Sequence, residues 1–292
     1  MSSTLVSAWQ AGRDRLRDAG IDTPVLDARL LVEAGAGVAR LDIVTDPRRA
    51  LSETQEAAIE ALMARRLTRE PISHILGRKA FWTLEFAVTP AVLTPRPETE
   101  FLVELALEHL PLDQPARVLD LGTGSGAILL TLLAERPLAH GVGLDVSDDA
   151  LAVARANAAA LQLTTRAEFH HGGWDADLGE GFDLVVSNPP YVPSADIDAL
   201  APEVARFEPR SALDGGPDGL DAYRAIVPRL LQLTRPGGVF AVEIGQGQEG
   251  AVMALTREAG LRPEQPRRDL AGIPRVVWGR IPAAAPQDAV TR

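Results

Sequence analysis

Val118-Leu119-Asp120-Leu121-Gly122-Thr123-Gly124-Ser125-Gly126 decides the fold. An apolar strand carrying one aspartate runs into a loop with glycine at every second place. Residues 127–135 then read as a helix. Glycine lets a backbone turn sharply and approach a ligand closely. The first turn of the helix behind it offers unpaired N–H groups. Working outward, the chain keeps alternating. Strands are expected at 117–121, 141–145, 167–170, 182–187, 238–244 and 275–279, and helices at 148–161, 220–233 and 248–259. Strands separated by helices imply an α/β fold, with a mainly parallel sheet covered on both faces.

Upstream the periodicity is helical. Leu5, Ala8 and Trp9 recur at helical spacing, and 25–32 does the same. Ser52-Glu53-Thr54-Gln55 has the form of a capping box, with Ile59, Leu62 and Met63 as the apolar stripe behind it. A small helical bundle over 1–71 follows. Residues 81–88 alternate as a strand or hairpin does. Thr94-Pro95-Arg96-Pro97 then turns the chain into a helix over 98–110, so 72–95 reads as a junction before a second domain at 96–280. The tail 281–292, rich in alanine, is expected to be disordered.

Composition excludes several function classes. The 292 residues contain no cysteine, which removes disulfides, thiolate metal sites and a cysteine nucleophile and fits a cytoplasmic protein. No apolar run reaches the roughly 20 residues a membrane span needs, and residues 1–20 lack the basic start and apolar core expected of a signal peptide. A net charge of -11 argues against neutralising nucleic-acid phosphates. His74, His109, His140, His170 and His171 form no metal-ligand set, so no metal is expected. A monomer is expected.

Two loops carry the chemistry. Gly122 to Gly126 has the spacing Gly-x-Gly-x-Gly with Asp120 before it, and resembles the cofactor loop of methyltransferases, whose ligand has a carboxylate and an ammonium but no phosphates. Asp145 ends the next strand, where an acidic residue can accept from two ribose hydroxyls. Trp174 follows the third strand, where the adenine of such a cofactor would lie; a core tryptophan reads nearly as well. The fourth strand ends in Asn188-Pro189-Pro190-Tyr191. An amide or aromatic amino nitrogen is a poor nucleophile because its lone pair is delocalised. The Asn188 side-chain oxygen and the Pro189 carbonyl can grip its two N–H bonds, favouring the pyramidal form and the charge that develops on attack. Tyr191 can pack against the planar group. No general base is needed, because the methylated nitrogen sheds its proton easily.

With these loops in place, residues 1–280 resemble the peptide chain release factor glutamine methyltransferases (PrmC, formerly HemK). Further matches are Arg69-Glu70-Pro71-Ile72, Phe81-Trp82, Leu93 to Glu100, Glu208 to Leu213, Gly219 to Arg224 and Glu243-Ile244-Gly245. The resemblance implies a Rossmann-like class I methyltransferase domain with a mostly parallel seven-stranded sheet, behind a helical domain that engages the release factor. It implies transfer of methyl from S-adenosyl-L-methionine to the N5 amide of glutamine in the Gly-Gly-Gln motif of class I release factors, giving S-adenosyl-L-homocysteine. Gly122, Thr123, Gly124, Ser125, Gly126, Asp145, Trp174 and Asn188 would bind the cofactor. Asn188, Pro189, Pro190 and Tyr191 would frame the glutamine, with Asn188, Pro189 and Tyr191 acting in catalysis. His74 stands where the family usually has tyrosine, and Thr94 where isoleucine is common. Arg96 and Glu100 read as an ion pair or a helix start rather than as catalytic groups. Two other readings compete: an amino-methyltransferase of adenine or cytosine in DNA or RNA, which should add a basic, aromatic recognition region, and a non-catalytic cofactor-binding assembly factor, which should have a broken catalytic loop.

Overall fold

Helices make up the N-terminal unit, residues 3–78 together with 201–207. The computed structural model describes residues 3–282. The unit runs through α1 (Leu5–Asp18), α2 (Pro24–Ala36), α3 (Arg40–Thr45), α4 (Glu53–Leu67) and α5 (Ile72–Leu76). Ser52 caps α4 as its sequence suggests: its hydroxyl accepts from Gln55 N and the Gln55 side chain accepts from Ser52 N. Leu5, Val32 and Ile59 form one buried cluster, and Leu16, Leu31 and Met63 another. Helices α2 and α4 approach closely at Gly35, where an added Cβ would lie 2.7 Å from Ile59 N. Only glycine fits there.

The second unit covers 79–200 and 208–282. It opens with a hairpin of β1 (Arg78–Phe81) and β2 (Leu84–Ala87), turned by Trp82 at φ 56°. A single 3-10 turn, Pro97–Thr99, starts α6 (Glu100–His109). Then β3 (Ala116–Leu121), α7 (Ala127–Glu135), β4 (Ala139–Asp145), α8 (Asp148–Ala160), β5 (Ala167–His171) and β6 (Phe182–Ser187) alternate. The short α9 (Pro202–Phe207) belongs to the N-terminal unit. The chain ends through α10 (Asp221–Leu233), β7 (Thr234–Glu243), α11 (Glu249–Glu258), β8 (Arg267–Arg268) and β9 (Pro274–Arg280).

The seven-stranded sheet has the order β5-β4-β3-β6-β7-β9-β8. The first five strands are parallel, and β9 runs antiparallel to β7 and β8. Side chains alternate between two apolar layers: Val118, Leu184 and Val186 face α6 and α7, whereas Leu119, Leu121 and Val185 face α10 and α11. Both faces are dry, as parallel strands require. Ile281, the first residue of the expected tail, is 4% exposed, and its N–H donates to Gly238 O. Residues 283–292 lie outside those described. No described helix is long and apolar enough to cross a membrane.

Candidate active site

Sheet register places the two sequence loops side by side. Leu121 pairs with Leu144 on β4 and with Ser187 on β6, so the loops that begin at Gly122 and Asn188 and the β4 end at Asp145 share one sheet edge. The strand order reverses around β3, where open α/β sheets bind ligands beyond the carboxyl ends of their strands. A cavity of about 550 Å³ opens there, within the range of small-molecule sites. Gly122, Thr123, Gly124, Ser125, Asp145, Trp174, Asn188 and Pro190 line it. Gly126 stands just behind, as the N-cap of α7. Pro189 is buried and Tyr191 half-buried, and neither is among the lining residues.

The glycine loop is held from three sides. Gly122 N and Thr123 N donate to Leu144 O, and Asn157 Nδ2 donates to Ser125 O at 2.9 Å. Gly124 N donates to Asp145 Oδ2 at 2.8 Å, while Asp145 Oδ1 accepts from Ser147 N. Gly122 has φ +75°, and a Cβ there would meet the Trp174 ring at 3.1 Å. Trp174 therefore lies against the loop backbone, and Arg229 fixes it by donating to the Trp174 and Ala176 carbonyls. A Cβ at Gly124 would enter open space.

Under the loop, Asp120 is completely buried. Its Oδ2 accepts from Thr123 Oγ1 at 2.7 Å, and Oδ1 has no partner. Burial pushes its carboxyl up to about 7, with Thr123 opposing and Asp145 adding to the rise.

Around Asn188 the contacts come from remote segments. Asn188 Nδ2 donates to Thr99 Oγ1 at 3.1 Å. Thr99 also lines the cavity, and Glu243, at the end of β7, is 2% exposed. Burial pushes Tyr191 up to about 12, so its phenol stays protonated. Gln248 Nε2 donates to the Tyr191 carbonyl at 2.9 Å. Arg96 lines the cavity and pairs with Glu208 at 2.5 Å. The ion pair read for Arg96 thus has Glu208 as its partner, whereas Glu100 accepts from Trp82 N.

Thr99, Ser211 and Asp214, to which neither sequence loop points, also line the cavity. Two of them fall in the segments Leu93 to Glu100 and Glu208 to Leu213, noted only as resemblances. Proline-rich, aperiodic sequence gives no local reason to expect a site there.

Known proteins fit this geometry. Residues 98–205 match the methyltransferase small domain, and residues 7–77 match the PrmC N-terminal domain. The fold is similar to the hMettl16 catalytic domain, solved with MAT2A 3'UTR hairpin 6, at TM-score 0.57 and 16% identity, covering 75% of this chain and 81% of that one. Fold and cavity define a Rossmann-like, S-adenosylmethionine-dependent methyltransferase. Relatives along nearly the whole chain narrow the class. The release factor glutamine methyltransferase of Caulobacter vibrioides is 56% identical over 96% of this chain and 97% of its own. That of Rhodospirillum rubrum is 49% identical over 94% of this chain and 84% of its own. The chain belongs to the family of release factor glutamine methyltransferases.

Proposed function

We propose that this enzyme methylates the N5 side-chain amide of the glutamine in the Gly-Gly-Gln motif of class I peptide chain release factors. The observation that carries the reading is the meeting of the β3, β4 and β6 ends at one cavity, with the Asn188 amide nitrogen already engaged by Thr99. Its oxygen is then left for a guest amide. On this reading the protein works in the cytoplasm as a monomer, on a protein substrate, without binding nucleic acid itself.

S-adenosylmethionine supplies an electrophilic methyl group on a sulfonium. The loop Gly122 to Gly126 would hold its amino-acid end, and the open space at Gly124 fits that role. Asp145 keeps lone pairs for the ribose hydroxyls beyond the bonds it accepts from Gly124 and Ser147. Trp174 would border the adenine. Asn188 Oδ1 and the Pro189 carbonyl would accept from the two N–H bonds of the glutamine amide, turning its lone pair toward the methyl group. Pro190 and Tyr191 would bound the planar group. As the N–C bond forms and the S–C bond breaks, the nitrogen becomes acidic and releases one proton to solvent.

The test is transfer of labelled methyl to a purified class I release factor. Label should reach the native factor, be absent when the motif glutamine is alanine, and fall roughly 100-fold or more in rate with Asn188→Ala. Label on the alanine factor, or only on RNA or DNA supplied in parallel, would sink the proposal.

A further inference from the structure

Methyl transfer as proposed above needs two acceptors in fixed places, the Asn188 side-chain oxygen and the Pro189 carbonyl, and the inference here rests on that reading. Asn188 is anchored directly. Ser187 before it pairs with Leu121 and donates through its hydroxyl to Leu121 O at 2.7 Å, and Asn188 Nδ2 donates to Thr99 Oγ1. Pro189 and Pro190 have no N–H to donate. Where the Pro189 carbonyl lies therefore depends on how the chain is held on either side, at Asn188 and at Tyr191.

Gln248 holds the Tyr191 side. It stands immediately before α11 as its N-cap, yet its side chain does not cap that helix. It turns back instead. Nε2 donates to Tyr191 O at 2.9 Å and to Gly219 O at 3.2 Å, and Oε1 accepts from Gly245 N at 3.0 Å. Two carbonyls and one N–H admit a single orientation of the carboxamide, and no other side chain of that length offers two donors and an acceptor together. Close packing completes the grip. Gly219 has φ +75°, and a Cβ there would lie 2.4 Å from Tyr191 O and 2.6 Å from Gln248 Nε2. A Cβ at Gly245 would lie 3.0 Å from Tyr191 Cδ2. The Tyr191 carbonyl is thus seated against Gln248 and Gly219, and its ring against Gly245.

We propose that Gln248 is a positioning residue for methyl transfer: by holding the Tyr191 carbonyl it fixes the far end of the Asn188–Tyr191 loop, and so aims the Pro189 carbonyl at the substrate amide. Misplacing a reacting group by about 1 Å costs on the order of 100-fold in rate. A loosened loop should therefore slow the chemistry. The glycine loop is held elsewhere, by Leu144, Asp145 and Asn157, so cofactor affinity serves as an internal control.

Single-turnover transfer to the release factor, with factor and cofactor saturating and cofactor affinity measured separately, tests this. Gln248→Met keeps the length and removes the donors. It should slow transfer roughly 10- to 100-fold, with cofactor affinity kept within a few-fold. The two acceptors grip one amide and act as a unit, so the same change made in Asn188→Ala should slow transfer no more than about 3-fold further. Gln248→Glu, when ionised, still accepts from Gly245 N but cannot donate to Tyr191. It should behave as Gln248→Met does, and replaces it in both backgrounds if the methionine variant does not fold. A wild-type rate in either single variant, cofactor affinity falling as far as the rate, or the full slowing persisting in Asn188→Ala would overturn the assignment. A wild type that labels no release factor would instead overturn the glutamine reading, and this inference with it.

Discussion

Asp120 shows what a single residue contributes beyond its place in a motif. The sequence puts it one residue before the glycine loop, but nothing local says that it is wholly buried with one oxygen unpaired. Desolvation favours its neutral form and pushes the carboxyl up to about 7 from an ordinary 3.8. Between those values the folded protein binds a proton that the unfolded chain has released. Stability therefore falls as pH rises through this window and levels off above it. Each pH unit is worth about 1.4 kcal/mol, so from pH 5 to pH 8 this one group should remove about 3 kcal/mol. Urea unfolding of the cofactor-free protein at both pH values checks the sign. Asp120→Asn should shrink the drop by about that amount, leaving the similar fall due to Glu243. An unchanged pH dependence in Asp120→Asn would contradict the assignment.

Elements long enough to show a period were readable. Strands β3, β4 and β6 alternate between two apolar layers, and the helices between them repeat their own stripe, so their positions follow from the side chains alone. The register that aligns Gly122, Asp145 and Asn188 follows in turn from parallel order. What periodicity cannot reach is short or interrupted structure. β8 has only two residues. β7 begins at Thr234 rather than 238 because Pro236-Gly237-Gly238 reads as a break, whereas the sheet absorbs it in an irregularity opposite β6. Contacts between elements are equally hidden. Asn157 on α8 is 2% exposed and bonds the Ala87 N–H and carbonyl on β2 as well as the Ser125 carbonyl of the glycine loop. Asn157→Ala strands all three backbone groups in a dry interior. At roughly 1 kcal/mol each, it should cost about 3 kcal/mol in chemical denaturation. Hydrogen exchange should also quicken at both β2 and Gly124 to Gly126. Protection lost on β2 alone would mean that the loop is held by something other than Asn157.

At the scale of the whole chain, the least legible feature is the return of residues 201–207 to the N-terminal unit. Glu203 accepts from Arg66 at 3.0 Å and from Arg69 at 2.9 Å, and Arg66 also binds Asp27 at 2.7 Å. Arg66 is 5% exposed and Asp27 1%, so the two charges depend on their partners. A separation of 137 residues between Arg66 and Glu203 leaves no periodic or local trace, and the capping and apolar spacing that announce the bundle say nothing of it. Breaking a buried ion pair from one side costs about 3–5 kcal/mol. Arg66 would keep Asp27, so Glu203→Ala should cost less, about 2–3 kcal/mol, and be felt first in α4. A fragment of residues 3–78 lacks the same carboxylate and should show the same loss of α4 amide protection as Glu203→Ala in the full chain. If the fragment protects α4 as well as the intact protein does, the carboxylate contributes nothing to the helical unit, and residues 201–207 are carried by it rather than completing it.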